Sequence, residues 1–111
     1  MKKSAGKVLI VLVIASSRKE AIRIAQVVVK EKLAACVNIL SAVTSIFRWK
    51  GKVQRSREAL LILKTTEHRY ASLERSIRSL HSYEVPEIVA LRLDKGLSQY
   101  TAWVEQETTR G

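Results

Sequence analysis

The chain has 111 residues, 47% of them hydrophobic, with 20 Lys and Arg against 10 Asp and Glu and a formal net charge of +10. That length and apolar content fit a single domain over residues 1–111 and exclude global disorder; no apolar run approaches the ~20 residues that a membrane-spanning helix needs. One cysteine, Cys36, excludes an intrachain disulfide and a multi-cysteine zinc site, and the basic balance predicts attraction to anions.

Residues 1–6 read as a flexible N-terminus. Lys2-Lys3 ahead of an apolar run faintly imitates a secretory leader, but the run is short and no small-residue cleavage pattern follows it. The expected location is cytoplasmic, with no membrane partner. Lys7 to Ala15 is rich in Val, Ile and Leu without helical period, as in a central strand buried on both faces. Ser17 with Glu20 three residues on is a capping box. Ala21, Ala25, Val28 and Leu33 then recur at helical spacing and face the core.

Ala35 to Trp49 is a long β-branched stretch, with Val37, Ile39, Val43 and Phe47 on one parity and Leu40, Ala42 and Ile46 on the other. Trp49-Lys50-Gly51-Lys52 is a turn signal, and Val53 to Thr65 returns as the paired strand. Such a hairpin outgrows the common strand length of about 5–6 residues. Its tip either projects into solvent or pairs with another subunit.

Thr66 can cap a second helix, in which Tyr70, Leu73, Ile77 and Leu80 form an apolar stripe. The corner His81-Ser82-Tyr83-Glu84-Val85-Pro86-Glu87 leads into a strand over Ile88 to Leu93, a turn at Asp94-Lys95-Gly96, and a short helix over Tyr100 to Thr108. The order β-α-β-β-α-β plus a terminal helix predicts an α+β, ferredoxin-like split βαβ fold. Both main helices should cover one face of a four-stranded antiparallel sheet, and the apolar residues of the bare face predict self-association.

Six blocks taken together resemble one known family: Glu31 to Asn38, Phe47 to Lys52, Glu58, Leu63 to Thr66, His81 to Ile88, and Tyr100 to Trp103. In order and spacing they are similar to the signatures of the CutA divalent-cation-tolerance proteins, over residues 7 to 107. The resemblance implies a homotrimer in which long hairpins pair between subunits, an architecture shared with the PII signalling proteins. It also implies a role in tolerance of divalent ions, with copper binding reported for some members, and it does not imply an enzyme. Three positions depart from the pattern. The first strand has no cysteine near its end, Leu80 stands where some members have a second histidine, and Ser82 stands where a proline is usual.

Candidate site residues fall in two groups. His81, with Glu84 or Glu87 as oxygen donors, is the candidate site for copper or another divalent cation, with no obligatory cofactor. His81 equally fits a structural role at the helix end, bonding the last carbonyls. Trp49, Glu58, Lys64, Tyr83, Tyr100 and Trp103, with Cys36, form a candidate interface cleft for a small anionic ligand, or else trimer packing. Within it Lys64 needs a carboxylate such as Glu58 or Glu87. The alternative of a basic nucleic-acid-binding domain rests on Arg48, Lys50, Lys52, Arg55 and Arg57 at the hairpin tip. The central strands carry no aromatic residue on which a base could stack, which argues against it. No Gly-rich phosphate loop, GxSxG or HExxH is present, so no enzyme is expected.

Overall fold

A computed structural model describes residues 8–109; the expected flexible segment 1–6 lies outside the described residues. The elements are β1 (Val8–Ala15), α1 (Arg18–Lys30), β2 (Cys36–Trp49), β3 (Lys52–Thr66), α2 (Glu67–Leu80), β4 (Ile88–Arg92) and α3 (Ser98–Glu107). They form one antiparallel sheet of order β2-β3-β1-β4. This is the expected ferredoxin-like split βαβ arrangement with an added terminal helix.

Alternation along the strands divides the sheet into two unlike faces. Val11, Val13, Ala15, Ala59, Leu61 and Leu63 point to the helices and are buried with Ala21, Ile24 and Val28 of α1 and Leu73 and Ile77 of α2. The opposite parity gives the second face, where cross-strand register aligns Leu91 with Ile10, Ile10 with Lys64, and Lys64 with Cys36. Leu40, Val89 and Leu91 of that face are exposed.

Two local features differ from the periodicity of the sequence. Ala42 takes φ +60°, and the β2–β3 register shifts between Leu40 and Val43. This bulge moves Val43, Ser45, Phe47 and Trp49 to the face opposite that of Val37 and Ile39, so the alternation that starts at Val37 does not run through to Phe47. Thr66 precedes α2 but makes no side-chain cap; its hydroxyl meets that of Thr108 at 3.2 Å, beneath α3. The Lys50-Gly51 turn has φ values of +51° and +78°, the double positive φ that a two-residue hairpin turn requires. The β2–β3 hairpin extends the molecule to 50 × 26 × 21 Å, and its basic tip is exposed.

Candidate functional site

The corner after α2 is anchored by His81. Its side chain is fully buried, Nε2 lies 2.6 Å from the Ile14 carbonyl, and Nδ1 accepts the Tyr83 backbone N–H at 3.1 Å. A carbonyl can only accept, so Nε2 carries the proton and Nδ1 the lone pair. Both nitrogens are thereby committed within the chain. The structural partner is a β1 carbonyl, not a carbonyl of α2; the last α2 carbonyl, Leu80, accepts from Arg23 at 2.8 Å.

Glu20 completes the corner. Ser17 Oγ accepts the Glu20 N–H at 3.1 Å, the forward half of the expected capping box. The carboxylate does not close back on Ser17. It accepts from the Ser16 N–H at 2.8 Å, the Ser16 hydroxyl at 2.9 Å and the Ser82 N–H at 2.7 Å. Burial pushes its pKa up, but these donors outweigh burial and hold it at about 2. Glu84 and Glu87 are exposed while His81 is buried. Among the described residues no group of three or more His, Cys, Asp or Glu side chains is arranged to hold a metal ion. The donor set His81, Glu84 and Glu87 therefore does not fit a copper centre within one chain.

The residues expected to share one cleft fall at two places on the sheet. Glu58 and Lys64 lie six positions apart on β3, ~20 Å along a strand. Among the described residues Lys64 meets no carboxylate: its ammonium donates to Asn38 Oδ1 and lies 3.9 Å from Cys36 Sγ. Cys36 is half-buried and free. Tyr100 sits beside it, its hydroxyl pKa raised by burial and by Cys36, and its ring lies 5.6 Å from that of Trp103.

Glu58, Tyr83 and Trp49 belong to a second place, a cleft of about 900 Å³ between the hairpin arm, Ile14 at the end of β1, and the corner. The Tyr83 hydroxyl donates to Glu58 Oε2. Burial first, then the hydrogen bond and negative charge of Glu58, push the Tyr83 pKa up to about 12. Glu84 and Glu87 line the same cleft, as does Phe47, which joins them because of the Ala42 bulge. The sequence signal for Phe47 was present in its apolar character, but its face was hidden by the parity break. The only local signal for Glu20 was its capping-box spacing, which does not reveal Ser82.

An antiparallel split βαβ sheet with one helix-covered face, a protruding two-stranded arm and a histidine-anchored corner defines a class of small α+β proteins of the ferredoxin-like kind. The comparisons with known proteins narrow that class to one family. Residues 9–107 match the CutA1 divalent ion tolerance protein family, and the chain belongs to it. It is 44% identical over 99 residues to the divalent-cation tolerance protein CutA of Thermus thermophilus, covering 89% of this chain and 96% of that protein. It is 41% identical over 103 residues to protein CutA of Mus musculus, covering 93% of this chain but 58% of the mouse protein. The solved structure of CutA1 from Oryza sativa superposes with a TM-score of 0.91 at 36% identity, covering 95% of this chain and 96% of that one.

Proposed function

We propose that this chain acts in divalent-cation tolerance, as a homotrimeric binding or signalling protein and not as an enzyme. The observation that carries the reading is the family match over residues 9–107, which takes in all three helices and, but for Val8, all four strands. The trimer is supported by the uncovered sheet face, with Leu40 48%, Val89 47% and Leu91 57% exposed, and by the long arm, whose unpaired edges would otherwise invite uncontrolled pairing. No helix among the described residues is long and apolar enough to cross a membrane. A cytoplasmic setting, in which Cys36 stays a thiol, agrees with its free state.

Because the His81 ring is spent on Ile14 and Tyr83, a copper response in this protein uses donors other than that ring. The test is complementation. Expression of the chain in a host lacking its own family member restores growth in elevated copper, and a host left as sensitive as the empty-vector control would refute the tolerance role.

A further inference from the structure

We infer that the outer surface of the helix layer binds the phosphate backbone of a nucleic-acid duplex, without regard to base sequence. Lys19, Arg23, Gln26 and Lys30 follow one another at steps of four, three and four residues along α1, which sets them on one stripe. That stripe faces away from Ala21, Ile24 and Val28, which are buried on the sheet. In α2, Arg75 stands two residues from both Leu73 and Ile77, on the side opposite that buried pair, and Arg78 follows about one turn on. The Arg23 guanidinium donates to the Leu80 carbonyl at 2.8 Å, so the stripe of α1 adjoins the last turns of α2. All five cations are exposed. The proposed trimer uses the other face of the sheet, so the helix layer stays open in it.

The charges of this layer are unmatched within the chain. The layer also carries the carboxylates Glu20, Glu31, Glu67 and Glu74, and all but Glu31 are engaged elsewhere. Glu20 is buried against Ser16 and Ser82, Glu67 pairs with Arg92 at 2.9 Å, and Glu74 accepts from Tyr70 at 3.1 Å. Among the described residues no lysine or arginine of α1 or α2 forms an ion pair. Arg23 and Arg75 are each steadied by one local bond, to the Leu80 carbonyl and to Ser72 Oγ at 3.3 Å, and they keep further N–H groups for phosphate oxygens. The chemistry of the surface then selects the partner. Val29, 40% exposed, is the one large apolar side chain that α1 and α2 leave exposed. A protein partner needs apolar or aromatic anchors at the centre of its interface. A lipid surface needs an apolar helix face to insert, and both helices spend theirs on the core. Duplex phosphates need only cations and polar side chains such as Gln26. Stacking aromatics, which the central strands lack, serve unpaired bases and not a duplex.

The test is fluorescence anisotropy with the full-length protein and a labelled DNA duplex of mixed sequence, about two helical turns long. An RNA duplex of the same length runs beside it, and both are titrated at about 50–200 mM salt. Binding saturates with a dissociation constant of about 1–100 μM near physiological salt and is alike for unrelated sequences; the tighter of the two duplexes names the source of the phosphates. Contacts from all the cations of the patch give log affinity on the DNA duplex a slope of about −4.5 against log salt concentration. Lys30→Gln with Arg75→Gln, both at exposed positions outside the core, flattens that slope by about 2. Lys52→Gln with Lys95→Gln removes the same charge outside the layer and leaves the slope unchanged. Equal flattening by the two pairs, or saturation with neither duplex, overturns the inference. So does competition by polyglutamate as strong as that by unlabelled duplex, or tighter retention on vesicles of anionic phospholipid than on the duplex. None of these results bears on growth in copper, which tests the tolerance role separately.

Discussion

The carboxylate of Glu20 accepts a 2.7 Å hydrogen bond from the backbone N–H of Ser82, joining the first turn of α1 to the corner that follows α2. A residue that starts one helix thus fixes the exit of the other, and through Tyr83 it helps set one wall of the cleft.

Glu20→Gln should lower stability at neutral pH by about 2–3 kcal/mol, because the amide cannot accept all three hydrogen bonds with a charged oxygen. The pH dependence has a definite sign. The folded-state pKa is depressed from 4.5 to about 2, so the contribution, about 3 kcal/mol, is fully present above pH 4.5. It is lost as pH falls from there through 2. Urea unfolding of wild type and Glu20→Gln at a series of pH values should give two curves that converge on acidification; a constant gap would contradict the assignment.

His81→Ala removes both ring contacts and leaves the Ile14 carbonyl without its side-chain donor. Its expected cost is about 2–4 kcal/mol, from the lost packing and the stranded polar group. Copper affinity of the folded variant should match that of wild type, since the ring nitrogens are already engaged. Parallel measurements of denaturation midpoint and copper titration separate the two effects. A stable variant with weakened copper binding would reverse the structural assignment of this residue.

The sequence was most legible where local rules act alone. The Ser17 cap, the Tyr70–Leu73–Ile77–Leu80 stripe and the Lys50-Gly51 turn each need only neighbours within a few residues. Element order then follows, and with it the topology. The site was less legible because its parts are joined by pairing between distant strands. Glu58 and Lys64 share a parity and look like partners, but the strand's own rise separates them. Glu20 and Ser82 are 62 residues apart, and no periodicity links them. Phe47 reached the cleft face only through a bulge, whose mark in the sequence is Ser41-Ala42, without the glycine that usually signals a positive φ.

That missing glycine makes a prediction of its own. Ala42 holds φ +60° on an exposed stretch of β2, a conformation that costs an L-residue with a Cβ about 1–2 kcal/mol. Ala42→Gly relieves that strain but gains chain entropy in the unfolded state. The net expectation is a small stabilisation, about 0.5 kcal/mol. Ala42→Val, β-branched at the same φ, should destabilise by more than 1 kcal/mol, roughly. Thermal unfolding of the pair decides it; a Val variant as stable as wild type would mean that the bulge had moved.

The bare sheet face supplies the last prediction. Val89 and Leu91 are about half exposed, although they sit beside Leu12 and Ile10 on a continuous apolar surface. The proposed trimer would bury that surface, and a lysine placed there would have to be desolvated against apolar neighbours. Val89→Lys with Leu91→Lys should therefore lower the mass seen by light scattering from three times 12.5 kDa toward a single chain. Far-ultraviolet circular dichroism should still report folded secondary structure, because neither side chain belongs to the helix-covered core. Lysine substitution at Arg92, whose side chain pairs at the surface with Glu67 at 2.9 Å, is the control and should leave the mass unchanged, since an exposed ion pair contributes about 0–1 kcal/mol. A wild-type protein that already runs as a monomer, or a double-lysine variant that stays trimeric, would place the association surface elsewhere on the molecule.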